Sequence, residues 1–179
     1  MASKKVLLHI CCAPCSIYPI KKLKEEGYKI FGFWYNPNIH PYKEYEKRYT
    51  EVKNYTTEND IRLLEKNEYN LKYFLRNVVY RENQRCRFCY SERLKYAAIY
   101  ARNGNFDFFT TTLLYSKFQN HNLIKEIGIE EAKNNGSNFL YKDFREGWKY
   151  GINKSKEKNM YRQQYCGCIY SEKDRYLKK

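Results

Sequence analysis

The run Val6-Leu7-Leu8-His9-Ile10, followed at once by Cys11-Cys12-Ala13-Pro14-Cys15-Ser16, decides how this chain folds. A short, nearly continuous apolar run that stops at a proline-containing cluster is the pattern of a strand buried on both faces of a parallel sheet. The cysteines then lie where the strand ends. Ser16 can cap a helix running to about Glu26, with Ile17, Ile20 and Leu23 on one face and Gly27 as its stop. Tyr28 to Tyr35 reads as a second strand. Strand, helix and strand in about thirty residues make a βαβ unit, which forces parallel pairing and a right-handed crossover.

Working outward, Asn36-Pro37-Asn38-Ile39-His40-Pro41 is a loop that its prolines and asparagines keep irregular. A charge-rich helix from Lys43 to Glu58 and a short third strand at Ile61 to Leu64 follow. Leu71 to Val79 has helical spacing, and a stronger helix runs from about Gln84 to Asn103, with Leu94, Ala97, Ala98 and Ala101 on one face and Gly104 beyond it. Phe106 to Thr111 is the fourth strand, with a functional-looking loop at Thr112 to Tyr115. A helix from about Lys117 to Lys133 and a fifth strand at Phe139 to Tyr141 precede a polar, basic C-terminal segment, helical in short pieces. The expectation is one α/β domain over residues 1–179: a mainly parallel sheet of about five strands with flanking helices, its strand-to-helix loops emerging along one edge, where such sheets bind ligands.

All seven cysteines fall in clusters: Cys11-Cys12 with Cys15, Cys86 and Cys89 as a CxxC, and Cys166 and Cys168 as a CxC. Thiols used for packing scatter singly on apolar faces. An odd number of clustered thiols in a chain without a signal-peptide core points to metal ligands or catalytic thiols in a reducing, cytoplasmic setting rather than to structural disulfides. No stretch approaches the ~18 apolar residues of a membrane span. Cys86 and Cys89 lie in the first turn of a helix, where the dipole and Arg85 and Arg87 favour thiolates. Cys166-Gly167-Cys168 can close a small redox disulfide or give two thiolates to a metal. Sulfur-rich sites select iron-sulfur or zinc over hard cations. His9, His40 and His121 have no metal spacing, and His9 on an apolar strand is a core histidine satisfied by hydrogen bonds. No glycine-rich nucleotide loop and no GxSxG elbow is present.

Lys plus Arg number 34 against 20 Asp plus Glu, a net charge of +14 that suits a polyanion. Cations and aromatics interleave near the thiols: Arg85, Arg87, Phe88, Tyr90 and Arg93, then Trp148, Lys149, Tyr161, Arg162 and Tyr165. Such residues can hold phosphates and stack on unpaired bases. Zinc-stapled RNA binding without redox activity, and metal-free thiol-disulfide exchange by Cys166 and Cys168, both fit these features too.

Taken in order, LLHICCAPCS, YNPNIHP, CRFCYSERL, TTLLYSKFQ, YKDFREGW and YRQQYCGCIYS, spread over residues 6 to 171, resemble the epoxyqueuosine reductases of the QueH type. The resemblance implies a Rossmann-like, HUP-type fold and reduction of epoxyqueuosine at the wobble position of tRNA, removing the epoxide oxygen in the last step of queuosine biosynthesis. It implies a [4Fe-4S] cluster on Cys11, Cys12, Cys86 and Cys89, with Cys166 and Cys168 either a redox disulfide or ligands to an adjacent iron. Some relatives carry Asp where Cys15 stands, so Cys15 is a further ligand to that second metal. An unidentified low-potential electron donor is required. With iron as Lewis acid on the epoxide, Asp143 or Tyr165 is the acid that helps release the oxygen as water.

Overall fold

In the computed structural model, which describes residues 3–177, the N-terminal apolar run forms β1 (Lys5–His9). It is an interior strand of a four-stranded parallel sheet of order β3-β2-β1-β4. Leu7 is in register with Phe31 of β2 (Lys29–Trp34) on one side and with Phe109 of β4 (Phe108–Thr111) on the other. Val6, Leu7 and Leu8 are wholly buried because helices cover both faces, which is why successive residues are apolar rather than alternating.

Helix α1 (Ala13–Glu25) leads to β2, and α2 (Tyr42–Glu58) leads to β3 (Leu63–Glu65). Helices α3 (Leu71–Val78) and α4 (Arg85–Asn103) carry the chain back to β4. After it come α5 (His121–Asn135), α6 (Trp148–Glu157) and α7 (Ile169–Tyr176). Helix α1 packs against α2 and α6, while α4 packs on β1, β4 and α5. The chain thus winds outward from β1 to β3, then crosses over to place β4 on the free side of β1. The strand order therefore reverses between β1 and β4, the switch point at whose carboxyl ends parallel sheets bind ligands.

Helix α1 ends as its sequence requires: Gly27 has φ +79, and Tyr28 N–H donates to Leu23 O at 3.1 Å. Its start differs from expectation. Ser16 is not the cap; the helix begins at Ala13, with Cys12 at the cap position, and Ser16 Oγ donates to Ala13 O at 2.7 Å. Pro14 explains this, since its ring pre-sets the helical φ and it has no N–H to satisfy. The fifth strand is also corrected. Phe139 makes a single parallel bridge to Phe109, with Leu140 N–H donating to Phe109 O at 2.8 Å, and the chain then leaves the edge to bury Phe144 against the loop after β4. Helix α5 begins at His121 rather than near Lys117. Asn120 caps it by accepting from Leu123 N–H at 3.1 Å, which leaves 116–120 as a turn.

Candidate metal centre

Cys11 and Cys12 stand just beyond the end of β1, beside the residues that follow β4. Cys11 N–H donates to Thr112 Oγ1 at 3.0 Å, and the same hydroxyl donates to Cys11 Sγ at 3.2 Å. One threonine beyond β4 therefore ties both backbone and sulfur of a residue beyond β1. Beneath them the buried His9 has Nε2 3.2 Å from Tyr35 O and Nδ1 2.9 Å from Thr111 Oγ1, so Nε2–H donates to the carbonyl and Nδ1 accepts from the threonine hydroxyl. Burial, then the nearby Arg93 charge, lowers its pKa to about 4. His9 is a neutral core histidine, as its sequence position implies.

The sulfurs of Cys11, Cys12 and Cys15 all lie within 4.8 Å of one another, and Cys11 and Cys12 are 3.9 Å apart. The first turn of α1 returns Cys15 to its neighbours. Gln163 Nε2 donates to Cys12 Sγ at 2.9 Å and reaches Cys15 Sγ at 3.5 Å. Hydrogen bonds from the Cys12 and Cys15 thiols hold Cys11 well below the usual thiol range. Burial raises Cys12 well above it, and the bonds to Cys11 and Cys12 raise Cys15. One sulfur is poised as thiolate while two keep protons that metal binding would displace. Tyr115, buried and pushed up chiefly by that burial, also feels Cys15 and Cys12.

Cys86 and Cys89 occupy the first turns of α4, where Cys166 and Cys168 act on both electrostatically. The lowered thiol pKa read from their position does not hold. Burial raises both thiols and outweighs the Arg85 charge that opposes it at Cys86; Arg85 also pairs with Asp174 at 2.6 Å, and Arg87 with Glu126 at 2.9 Å. The guanidinium bonded to a thiol of this pair is Arg93, one turn beyond Cys89. It is 2% exposed, and its Nη2 donates to Cys89 Sγ at 2.9 Å. Its charge also acts on Cys166 and on Cys11, so it stands between the two thiol groups. Buried Arg93 and Tyr90 are therefore out of reach of phosphates and bases, contrary to the surface role their spacing suggested.

The CxC segment is held from the side. Arg48, 2% exposed on α2, forms a 2.6 Å ion pair with Glu44 and donates to Cys166 O at 2.8 Å and Tyr165 O at 3.0 Å. His40 N–H donates to Gly167 O at 2.8 Å, and Tyr165 Oη donates to His40 O at 2.5 Å. A Cβ at position 167 would come within 2.9 Å of Asn38 Nδ2 and 3.3 Å of Ile39 Cγ1, so glycine permits this approach. Cys168 is buried against Phe74 and Val78 of α3, whereas Cys166 is exposed and accepts from Gln119 Nε2 at 3.3 Å.

Of the two acids considered, Asp143 is clamped by Arg145 Nε at 2.9 Å and Nη2 at 2.5 Å, and its carboxyl is held down to about 2. It has no proton to give at neutral pH. Tyr165 is pushed up to about 12, by burial first and by Glu44 next, so it keeps its proton. Sequence alone gives Arg48, Gln119 and Gln163 no individual role, sets Thr112 at the start of a functional-looking loop and reads Arg93 as a phosphate-holding cation. Glu44 and Arg48 at helical i,i+4 spacing resemble a solvated pair, whereas Arg93, Thr112, Gln119 and Gln163 all lie inside the quoted motifs.

All seven cysteines are free thiols, three at single-ion spacing and four more around the N-termini of α4 and α7. Among the described residues no other group of three or more His, Cys, Asp or Glu has that spacing. An all-sulfur donor set with a buried cation beside it fits a soft, thiolate-bound metal centre. The family model described as "Epoxyqueuosine reductase QueH" matches residues 6–174. The chain is 36% identical to the epoxyqueuosine reductase QueH of Dehalococcoides mccartyi, covering 97% of this chain and 96% of the relative. The protein of the same name from Thermotoga maritima is 35% identical over 93% and 89% of the two chains, and that of Streptococcus pyogenes serotype M1 is 33% identical over 94% and 70%. With matches of this length spanning every cysteine cluster, the chain belongs to the QueH family of epoxyqueuosine reductases.

Proposed function

We propose that the protein reduces epoxyqueuosine to queuosine at the wobble position of tRNA, as an iron-sulfur oxidoreductase of the cytoplasm acting in the last step of queuosine biosynthesis. The observation that carries this reading is the close grouping of Cys11, Cys12 and Cys15, with one buried arginine, Arg93, whose charge reaches Cys11, Cys89 and Cys166, within a chain matched over nearly its whole length by the family. Cys11, Cys12, Cys86 and Cys89 would hold a [4Fe-4S] cluster, and Cys15, Cys166 and Cys168 a second iron. When bound, these supply low-potential electrons and a Lewis acid for the epoxide oxygen.

The remaining chemistry belongs to the chain's own side chains. Taking the oxygen out as water consumes two electrons, from an unidentified low-potential donor, and two protons. Arg93, buried at 2.9 Å from Cys89 Sγ, offsets the negative charge that several thiolates accumulate out of water. Thr112 and Gln163 fix the sulfurs of Cys11 and Cys12 by donating to them. Arg48 and His40 hold the main chain at 165–167 so that exposed Cys166 faces incoming substrate. Tyr165, adjacent to Cys166, keeps its proton and can donate it once its hydroxyl leaves His40 O, and we favour it over ionised Asp143.

Anaerobically reconstituted protein, given epoxyqueuosine-containing tRNA and a strong reductant, should yield queuosine on mass spectrometry of the digested nucleosides. Colourless, zinc-only protein that leaves the epoxide intact would overturn this reading in favour of simple RNA binding.

A further inference from the structure

The turn that leads into α5 carries the second most exposed large hydrophobic residue of the described chain, Phe118, at 86%. It does not hang loosely. Ser116 Oγ accepts from Phe118 N–H at 3.2 Å, Ser116 O is 3.1 Å from His121 Nε2, and Asn120 caps α5. On the following residue, Tyr90 Oη donates to Gln119 Oε1 at 2.6 Å, which aims Gln119 Nε2 at Cys166 Sγ, 3.3 Å away. The residues on both sides of Phe118 are thus pinned, and the aromatic ring is presented next to a residue that touches an exposed thiol. One edge of the ring is backed by Trp148 at 5.6 Å in a T-shaped contact, and Trp148 is stacked on Tyr115 at 5.1 Å. Tyr115 in turn borders Cys12 and Cys15.

Three exposed cations accompany this aromatic row: Lys117 before Phe118, Lys149 after Trp148, and Arg162, which acts on Tyr115. Among the described residues none of the three has a carboxylate at ion-pair distance. A rigid aromatic face open to water, flanked by unneutralised cations, matches the demands of a single-stranded polyanion that carries flat rings.

We propose that Phe118 is a stacking platform for an unpaired base of the RNA, the one beside the reacting nucleotide, with Lys117, Lys149 and Arg162 meeting the phosphates around it. This rests on tRNA being the substrate. Stacking keeps the neighbouring base from following as the reacting nucleoside turns toward Cys166, so Phe118 is a positioning residue and touches none of the reacting atoms.

The test uses the full chain and an RNA hairpin of the anticodon-loop sequence, with fluorescent 2-aminopurine beside the wobble nucleotide. Wild type and Phe118→Tyr should quench the probe on binding. Phe118→Ala should bind roughly tenfold more weakly and quench little. Its slope of log Kd against log salt should be unchanged, because no phosphate contact is lost, whereas Lys117→Ala should lower that slope by about one. Equal thermal unfolding of wild type and Phe118→Ala checks that the exposed position tolerates alanine. Wild-type affinity and quenching in Phe118→Ala would overturn the proposal, as would wild type that binds without quenching. Failure of the wild type to reduce epoxyqueuosine would instead sink the functional reading, and the hairpin measurement would still decide whether Phe118 stacks.

Discussion

Two of the three places that present thiols are built in opposite ways. Cys11, Cys12 and Cys15 sit on the junction between a central strand and its following helix, held by sheet pairing, by Pro14 and by a fully buried apolar core. Cys166 and Cys168 sit on a segment outside the sheet, fixed by the ionic and hydrogen-bonding reach of Arg48, His40, Tyr165 and Gln119, with one small apolar cluster beneath Cys168. The first site is rigid because of what lies under it. The second is placed by a few polar bonds, which lets it differ in stability from the scaffold. Ligands that must be pre-positioned belong on the first kind of support, and thiols that meet a bulky substrate on the second.

Breaking the rigid side should cost the most. Cys11→Ala or Cys12→Ala should remove cluster colour and epoxide reduction together, seen by visible absorption and nucleoside analysis, while leaving the fold intact by circular dichroism. On the polar side, Arg48→Met strands Glu44 in a buried position and frees the carbonyls of Tyr165 and Cys166. Removing one member of a buried pair costs about 3–5 kcal/mol. Urea unfolding should show that loss, and limited proteolysis should cut near residues 161–168 first.

How much of this was legible beforehand follows the same division. The strand at Val6 to Ile10, the stop at Gly27 and the helix behind Cys86 and Cys89 were readable because each rests on local chemistry: apolar runs, a positive φ and helical periodicity. The fifth strand failed because its brief apolar run makes two hydrogen bonds and is then drawn away by Phe144. The placement of the CxC was not legible at all. It depends on Arg48, more than a hundred residues earlier, whose pairing with Glu44 looks like ordinary surface charge until α2 is docked. Arg93 was misread for the same reason: a basic residue near cysteines suggests a phosphate contact, and only burial shows that its partner is sulfur.

A gentler perturbation sharpens the contrast through pH. Burial lowers His40 to about 4, with the bond to Pro37 O opposing. An unfolded histidine takes its proton near 6.5, so between pH 6.5 and 4 the unfolded chain binds more protons and stability falls as pH falls. Above pH 7 this contribution is complete and flat. Lowering the pH from 7 to 5 should cost about 1–2 kcal/mol from this group, and it should loosen the 165–167 segment before the sheet, read by hydrogen exchange. The smallest effect belongs to Asp143→Asn. The carboxylate is 42% exposed and paired with an equally exposed Arg145, so its loss should change stability by less than about 1 kcal/mol and leave turnover near wild type.

The central claim is that these thiols act through bound iron. Iron, acid-labile sulfide and zinc measured on the same samples whose epoxide reduction is assayed, across preparations from fully reconstituted to chelator-stripped, test it most directly. Activity should rise in proportion to iron and sulfide and vanish without them; full turnover by metal-free or zinc-only protein would contradict it.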